Sequence, residues 1–138
     1  MPSGWDARRD VAPMALVARP AENGPGRFVP TLMVLDARAE AAAGGFDRYA
    51  AVQLEAVATT LQDPLLVAVA RAESVDGRPA LDLLVAHVAN GHDVTLCQRH
   101  VLHPGGRALV ASSTVADRDW PDLAAVCTRA VRSIRATT

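Results

Sequence analysis

The residues of this chain that could do chemistry are four histidines (His87, His92, His100 and His103), two cysteines (Cys97 and Cys127) and a few serines. Zinc is the first chemistry that four histidines suggest, and its ligands must converge to about 2 Å from one ion. In the strand register argued below, His87 stands opposite Val94. His100 lies roughly 20 Å further along at about 3.4 Å per residue, while His92 and His103 flank turns. His92 and Asp93 are neighbours on a strand and face opposite ways. No metal or cofactor is expected. Nucleophilic catalysis needs Ser or Cys beside a base that a third group holds. There is no Gly-x-Ser-x-Gly elbow, Ser112 and Ser113 fall in mid-strand, and alternation turns Cys97 away from His100. A buried free cysteine behaves as a small hydrophobe. Asn23-Gly24-Pro25-Gly26-Arg27 and Pro104-Gly105-Gly106-Arg107 put an arginine after glycines, but neither has the strand-loop-helix context of a phosphate site. They read as turns.

The whole chain narrows the choice further. Its 138 residues make one domain, 1–138, with 1–12 as a candidate flexible arm. Half the residues are hydrophobic and 21% are charged, which excludes a disordered chain. The net charge is -1, and all 14 cations are arginine. That balance removes the long-range field of a general nucleic-acid or anionic-membrane binder. The lack of lysine removes Schiff-base and P-loop chemistry. Residues 1–11 carry Asp6, Arg8, Arg9 and Asp10 and form no signal-peptide core. The apolar run 65–70 is far short of the roughly 20 residues a membrane helix needs. These features point to a cytoplasmic protein with reduced thiols and no membrane insertion.

The elements that must position these residues follow from periodicity. Residues 14–18 and 31–37 read as strands. Gly44-Gly45 releases the chain into an amphipathic helix over 46–62, with Phe46, Ala50, Leu54, Val57 and Leu61 on one stripe. The period then becomes two, with strands at 65–75, 78–89, 92–102 and 107–115. Asp76-Gly77 and Asn90-Gly91 are strong two-residue hairpin signals, and 103–106 is a four-residue turn. Asp119 is placed to cap a last helix whose stripe is Trp120, Leu123, Cys127, Ala130, Val131 and Ile134. Three successive hairpins make a four-stranded antiparallel meander. The fold class is α+β.

If those turns hold, Val75 pairs with Arg78, Ala89 with His92 and Leu102 with Arg107. One face then gathers Leu66, Ala68, Ala70 and Ala72 with Leu81, Leu83, Val85 and His87, with Val94, Leu96, Gln98 and His100, and with Leu109, Ala111, Ser113 and Val115. The opposite face sets Arg71, Asp82 and Arg99 in a row of alternating sign. Both faces are apolar enough to need cover, and one helix on each would supply it. Gln98 and His100 stand out within the aliphatic face. An unpaired buried polar group costs about 1 to 3 kcal/mol. Each therefore needs an internal partner, such as a helix-side group, or a client segment laid along the sheet.

Several phrases carry a family resemblance: Phe28-Val29-Pro30-Thr31-Leu32-Met33-Val34, the helix with Tyr49, Val75-Asp76-Gly77-Arg78-Pro79-Ala80, Val94-Thr95-Leu96-Cys97-Gln98-Arg99, and the closing Arg132-Ser133-Ile134-Arg135. Over residues 28–135 the chain resembles PsbP-like domains. The bacterial branches include LpqN-type lipoproteins and the effector-associated chaperones of type VI secretion. The resemblance implies an antiparallel sheet flanked by helices (an α/β/α sandwich) and a non-enzymatic, protein-binding role. The chain lacks a lipobox. The expected activity is that of an adaptor, or of a chaperone for a secreted or membrane-associated partner. Its expected contact surface is the sheet face of Leu81, Leu83, Leu96, Gln98, His100 and Leu109. Pairing of edge strands into a homodimer stays open. Two other readings also stand: a pocket for a small hydrophobic ligand, and a hydrolase using His100 or His92.

Overall fold

The tightest turn fixes the centre of the sheet. Asn90 and Gly91 take φ of 51° and 78°, the pair of left-handed residues that a type I′ hairpin requires. Around it Ala89 pairs with His92, Leu83 with Gln98 and Leu81 with His100, as the sequence predicts. The structure, a computed structural model, describes residues 5–9, 14–20, 31–38 and 44–133, with side chains for 31–35 and 44–133. The elements are β1 (Trp5–Arg9), β2 (Met14–Pro20), β3 (Thr31–Arg38), α1 (Phe46–Thr60), β4 (Gln62–Glu73), β5 (Pro79–Ala89), β6 (His92–His103), β7 (Arg107–Ala116), a 3₁₀ turn (Asp117–Asp119) and α2 (Trp120–Arg132). The seven strands form one antiparallel sheet in the order β1-β2-β3-β7-β6-β5-β4. The expected four-strand meander is its β4-to-β7 half.

Within the segment 1–12, a candidate flexible arm from the sequence, residues 5–9 pair with β2. Trp5 and Ala7 alternate with Asp6 and Arg8, too short a pattern to announce a strand. The 23–27 turn and Ile134 lie outside the described residues.

Two hairpin registers differ from expectation by one residue. The 74–78 turn is not a two-residue loop. Among its residues only Gly77, at φ 79°, is left-handed, and Ser74 and Arg78 close it through Ser74 N–H to Arg78 O at 2.9 Å. The Ser74 hydroxyl locks the loop by bonding the Asp76 carboxylate and accepting the Arg78 N–H. The loop is thus the three-residue kind with a glycine at its αL position. At the other end His103, not Leu102, pairs with Arg107, because Gly105 and Gly106 are both left-handed and close a shorter turn. A one-residue slip moves every side chain of a strand to the other face. On β7, Leu109, Ala111, Ser113 and Val115 therefore leave the face of Leu83, and Val110 and Ser112 take their place. On β4, Ala68, Ala70 and Ala72 likewise leave the face of Leu83 while Leu66 stays on it, and Arg71 leaves the row with Asp82 and stacks over the Phe46 ring at 4.5 Å.

Each face has its helix. Tyr49, Phe46, Ala50, Leu54, Val57 and Leu61 of α1 pack on Leu81, Leu83, Val85, Leu96 and Leu102. On the other face, Ala130 and Val131 of α2 pack on Leu32, Val34, Ala80, Val101, Leu109 and Ala111. The α/β/α sandwich is the expected one. Asp119 sits at the expected N-cap position but its carboxylate accepts no capping N–H, because the 3₁₀ turn already holds it in a helical conformation. Instead Thr95 on β6 donates to the Asp117 carboxylate at 2.7 Å and fixes the entry to α2.

Beneath α2 lies a buried cation. Arg99 donates to both Asp82 oxygens, Nε at 2.7 Å and Nη2 at 2.8 Å, and it reaches the carbonyls of Glu73 and Arg132 at 3.4 and 3.5 Å. One guanidinium thus joins β5, β6, the end of β4 and the end of α2. Breaking a buried pair by removing one partner costs about 3 to 5 kcal/mol. Asp82→Ala should lose stability in that range in urea unfolding. A loss under about 1 kcal/mol would show the pair to be solvent-screened instead.

Candidate partner-binding site

The polar residues that the sequence singles out on the α1 face are joined in one chain. Gln98 and His100 stand two apart on β6, so both point toward α1, and the β7 register brings Ser112 opposite Gln98. Tyr49, one turn into α1, reaches down to them. The Tyr49 hydroxyl lies 2.6 Å from His100 Nδ1, His100 Nε2 lies 2.9 Å from Gln98 Oε1, and Gln98 Nε2 donates to Ser112 Oγ at 2.9 Å. The directions are mutually fixed. The Gln98 oxygen only accepts, so His100 Nε2 carries a proton. Burial pushes the His100 pKa down to about 4 and keeps the ring neutral, so Nδ1 accepts from Tyr49. Burial also pushes the Tyr49 hydroxyl up to about 12, which keeps its proton in place.

This arrangement is a clamp, not a proton relay to a nucleophile. An amide stands between His100 and Ser112 and carries no proton across. The ring edges of Tyr49 and His100 also meet, with centroids 5.5 Å apart. The helix-side group that Gln98 and His100 require is therefore Tyr49. Leu81, Leu83, Leu96 and His100 are buried beneath α1 and Gln98 is half-buried there, while Leu109 is buried beneath α2. The six residues of the expected contact surface thus divide between the two faces.

The remaining chemical candidates are dispersed. Burial pushes both thiols up, Cys97 beside Thr128 and Cys127 beside Ser113, which leaves them protonated at neutral pH. His87 is buried at the end of β5 with Nδ1 3.4 Å from the Val88 carbonyl. Among the described residues no group of three or more His, Cys, Asp or Glu side chains converges on a metal position.

What the molecule leaves open is the β4 side of the α2 face. Helix α2 packs over β6 and β7, and β4 is exposed along most of its length. On that face Leu65 is 65% exposed and Ala68 and Ala70 are exposed beside it, with Val75 in the following turn 60% exposed, while Leu66 and Val69 are exposed on the α1 side of the same strand. Two depressions border this ledge and share Thr128 and Arg132. One is an open, largely apolar groove of about 640 Å³ between Val75 and the α2 flank at Ala124, Ala125 and Arg129. The other is a recess of about 170 Å³ running from Ala68 and Ala70 across Leu84 and Cys97 to Trp120. Sequence reasoning missed this site. The signal was present in 65–70, six consecutive apolar residues that supply apolar groups to both faces of a strand that no longer has two neighbours.

The neutral His100 ties stability to pH. Its folded pKa lies below the unfolded value of about 6.5, so between the two the unfolded chain binds the extra proton. Stability should be complete above about pH 6.5 and fall toward pH 4, by about 3 kcal/mol at 1.4 kcal/mol per unit. Urea unfolding of His100→Gln across this range should show that slope flattened. Tyr49→Phe should cost about 1 to 3 kcal/mol, since it leaves Nδ1 buried without a donor.

No family model matches the chain, and no curated protein matches its sequence. Solved structures do match its shape. A Pseudomonas aeruginosa protein, PA94, described as of unknown function and a putative regulator, superposes with a TM-score of 0.73 at 18% identity, over 100% of this chain and 90% of its own. LpqN, involved in cell envelope biogenesis of Mycobacterium tuberculosis, gives 0.68 at 17% identity, over 97% and 78%. The cyanobacterial PsbP of Synechocystis gives 0.59 at 14% identity, over 96% and 81%. Among the described residues no helix is long and apolar enough to cross a membrane. The chain has the PsbP-like fold, in a form that bacterial proteins share.

Proposed function

We propose that this domain is a non-enzymatic protein-binding module, an adaptor or chaperone that holds an apolar helical segment of a partner in the groove between α2 and the β4–β5 hairpin. The observation that carries the reading is the open apolar groove itself, floored by Val75, Ala124 and Ala125 and continuous with exposed Ala68 and Ala70. Contiguous exposed apolar surface of this kind marks interaction sites on monomeric proteins. Arg129 and Arg132 stand exposed along its wall, so the segment it suits carries an acidic residue beside its apolar stripe. The small size of the enclosed recess and the open form of the larger groove weigh against a small hydrophobic ligand. Ligand sites usually enclose roughly 300 to 1,000 Å³, and the more enclosed recess here is about 170 Å³. An open groove suits a helix laid along it. The cytoplasmic assignment belongs to this proposal as well, while LpqN is involved in cell envelope biogenesis.

The buried face enters this reading in a second way. A partner would reach Leu81, Leu83, Leu96, Gln98 and His100 by displacing α1, which the Tyr49–His100 bond opposes; Leu109 would stay beneath α2.

The test uses a fluorescein-labelled amphipathic peptide with leucines at helical spacing and two glutamates at one end, titrated by anisotropy. Ala125→Glu and Arg132→Glu should each weaken binding at least tenfold, while Tyr49→Phe leaves groove binding unchanged. No binding by wild type, or equal binding by all variants, would overturn the groove as the site.

A further inference from the structure

Two thiols remain that neither the groove nor the polar chain beneath α1 uses. Cys97 and Cys127 are both free, and the fold sets them on facing layers. The β6–β7 register puts Cys97 directly opposite Ser113, and Cys97 packs among the residues that α2 covers. Cys127 is buried on the inner side of α2, one turn before Val131.

Two hydroxyls locate the sulfurs relative to each other. The Cys97 thiol stands beside Thr128, the residue that follows Cys127. The Cys127 thiol stands beside Ser113, the residue opposite Cys97. Each thiol therefore lies against the immediate neighbour of the other. Their electrostatic coupling agrees, since a charge on Cys127 holds the Cys97 proton more tightly. Small side chains also let the layers approach here, with Ala80 and Ala111 on the sheet and Ala130 on α2. A disulfide needs α-carbons within about 4.4 to 6.8 Å, a spacing that bulky side chains between helix and sheet would forbid.

Access to the two sulfurs is uneven. Cys97 is half-buried beside the recess of about 170 Å³ that Trp120 also lines. That recess has room for a water-sized oxidant. Cys127 is only 2% exposed. The outer thiol is thus placed to meet an oxidant first, and the inner one to resolve it.

We propose that Cys97 and Cys127 are a redox pair, which a small peroxide closes to a disulfide that locks α2 onto β6. The Cys97 sulfur takes one oxygen from hydrogen peroxide, giving a sulfenic acid and one water. The Cys127 sulfur then attacks that sulfur. The S–S bond forms, the S–O bond breaks, and the hydroxyl leaves with the Cys127 proton as a second water. Two electrons pass from the pair of thiols to the peroxide. The thiolate is the reacting form, and burial holds both protons in place. The reaction is therefore slow at neutral pH and speeds up as pH rises. The inference does not rest on the groove reading, because register and packing alone place the two thiols.

Intact mass spectrometry of the native protein treated with hydrogen peroxide tests the pair. Wild type should lose about 2 Da, at least tenfold faster at pH 9 than at pH 7, and dithiothreitol should restore the mass. After unfolding in urea neither oxidised thiol should react with maleimide, and digestion should yield one peptide pair joined through Cys97 and Cys127. The oxidised form should melt at a higher temperature than the reduced form. Cys97→Ser, at a half-buried position that tolerates a hydroxyl, should show neither the mass loss nor the shift in melting, and circular dichroism checks its fold. Oxygen added at Cys97 with Cys127 still free overturns the proposal, as do copies linked to one another. Both thiols surviving prolonged treatment with diamide, or a disulfide that leaves the melting temperature unchanged, also overturns it. Peptide binding measured on the reduced protein reads the groove separately, whatever the thiols do.

Discussion

The structure depends on the side-chain period of two along its strands, and on the loops that decide where each period starts. Three hairpins join β4 to β7, and each turn sets the phase of everything beyond it. Asn90-Gly91 forms a two-residue turn because both residues take left-handed φ. The 74–78 turn takes three residues because the Ser74 hydroxyl bonds Asp76 and Arg78, leaving only Gly77 left-handed. From these phases follow the meeting of Ser112 with Gln98, the departure of Arg71 from Asp82 and the burial of Leu109 beneath α2. Had the Asn90-Gly91 turn closed one residue differently, Asp82 would no longer face Arg99, and had the turn before Arg107 done so, Ser112 would no longer face Gln98.

Each layer of the sandwich is then fastened by one polar anchor set in apolar surroundings. On the α1 side the anchor is neutral, a relay of hydrogen bonds from Tyr49 to Ser112 that is complete only while His100 lacks its second proton. On the α2 side it is ionic, with Arg99 held in a fork by Asp82 and touching the last carbonyls of the helix. Cations suit that end of a helix dipole. Both anchors sit over the middle of the sheet. The β4 side has none, and that is where apolar surface remains in the open.

Much of this was legible from the residues. The helix at Phe46, the strands of the meander and the need for cover on both faces came from apolar periodicity and turn chemistry, and the resemblance to PsbP-like domains from phrases such as Val94-Thr95-Leu96-Cys97-Gln98-Arg99. The demand that Gln98 and His100 find a partner was also legible, and a helix-side group was among the partners expected. The identity of that group was not, because its distance in sequence, 51 residues from Tyr49 to His100, is crossed only by tertiary packing. The two register slips were hidden for a different reason. Asp-Gly fits a two-residue turn as well as a three-residue one, and the choice was made by Ser74, a residue outside the dipeptide. Strand β1 gave too little signal because the alternation of Trp5 and Ala7 with Asp6 and Arg8 ends at once in Arg9. The open ledge escaped notice because an apolar run predicts burial, and only the strand order shows that β4 ends the sheet.

The central claim is that the register of β7 divides the apolar residues between the two helices. Methyl nuclear Overhauser spectroscopy of Leu109 reads it directly. The account predicts cross-peaks from the Leu109 methyls to Val131 on α2. Cross-peaks to the Tyr49 ring instead would place Leu109 beneath α1, return the strand to the other phase and contradict the polar chain from Tyr49 to Ser112.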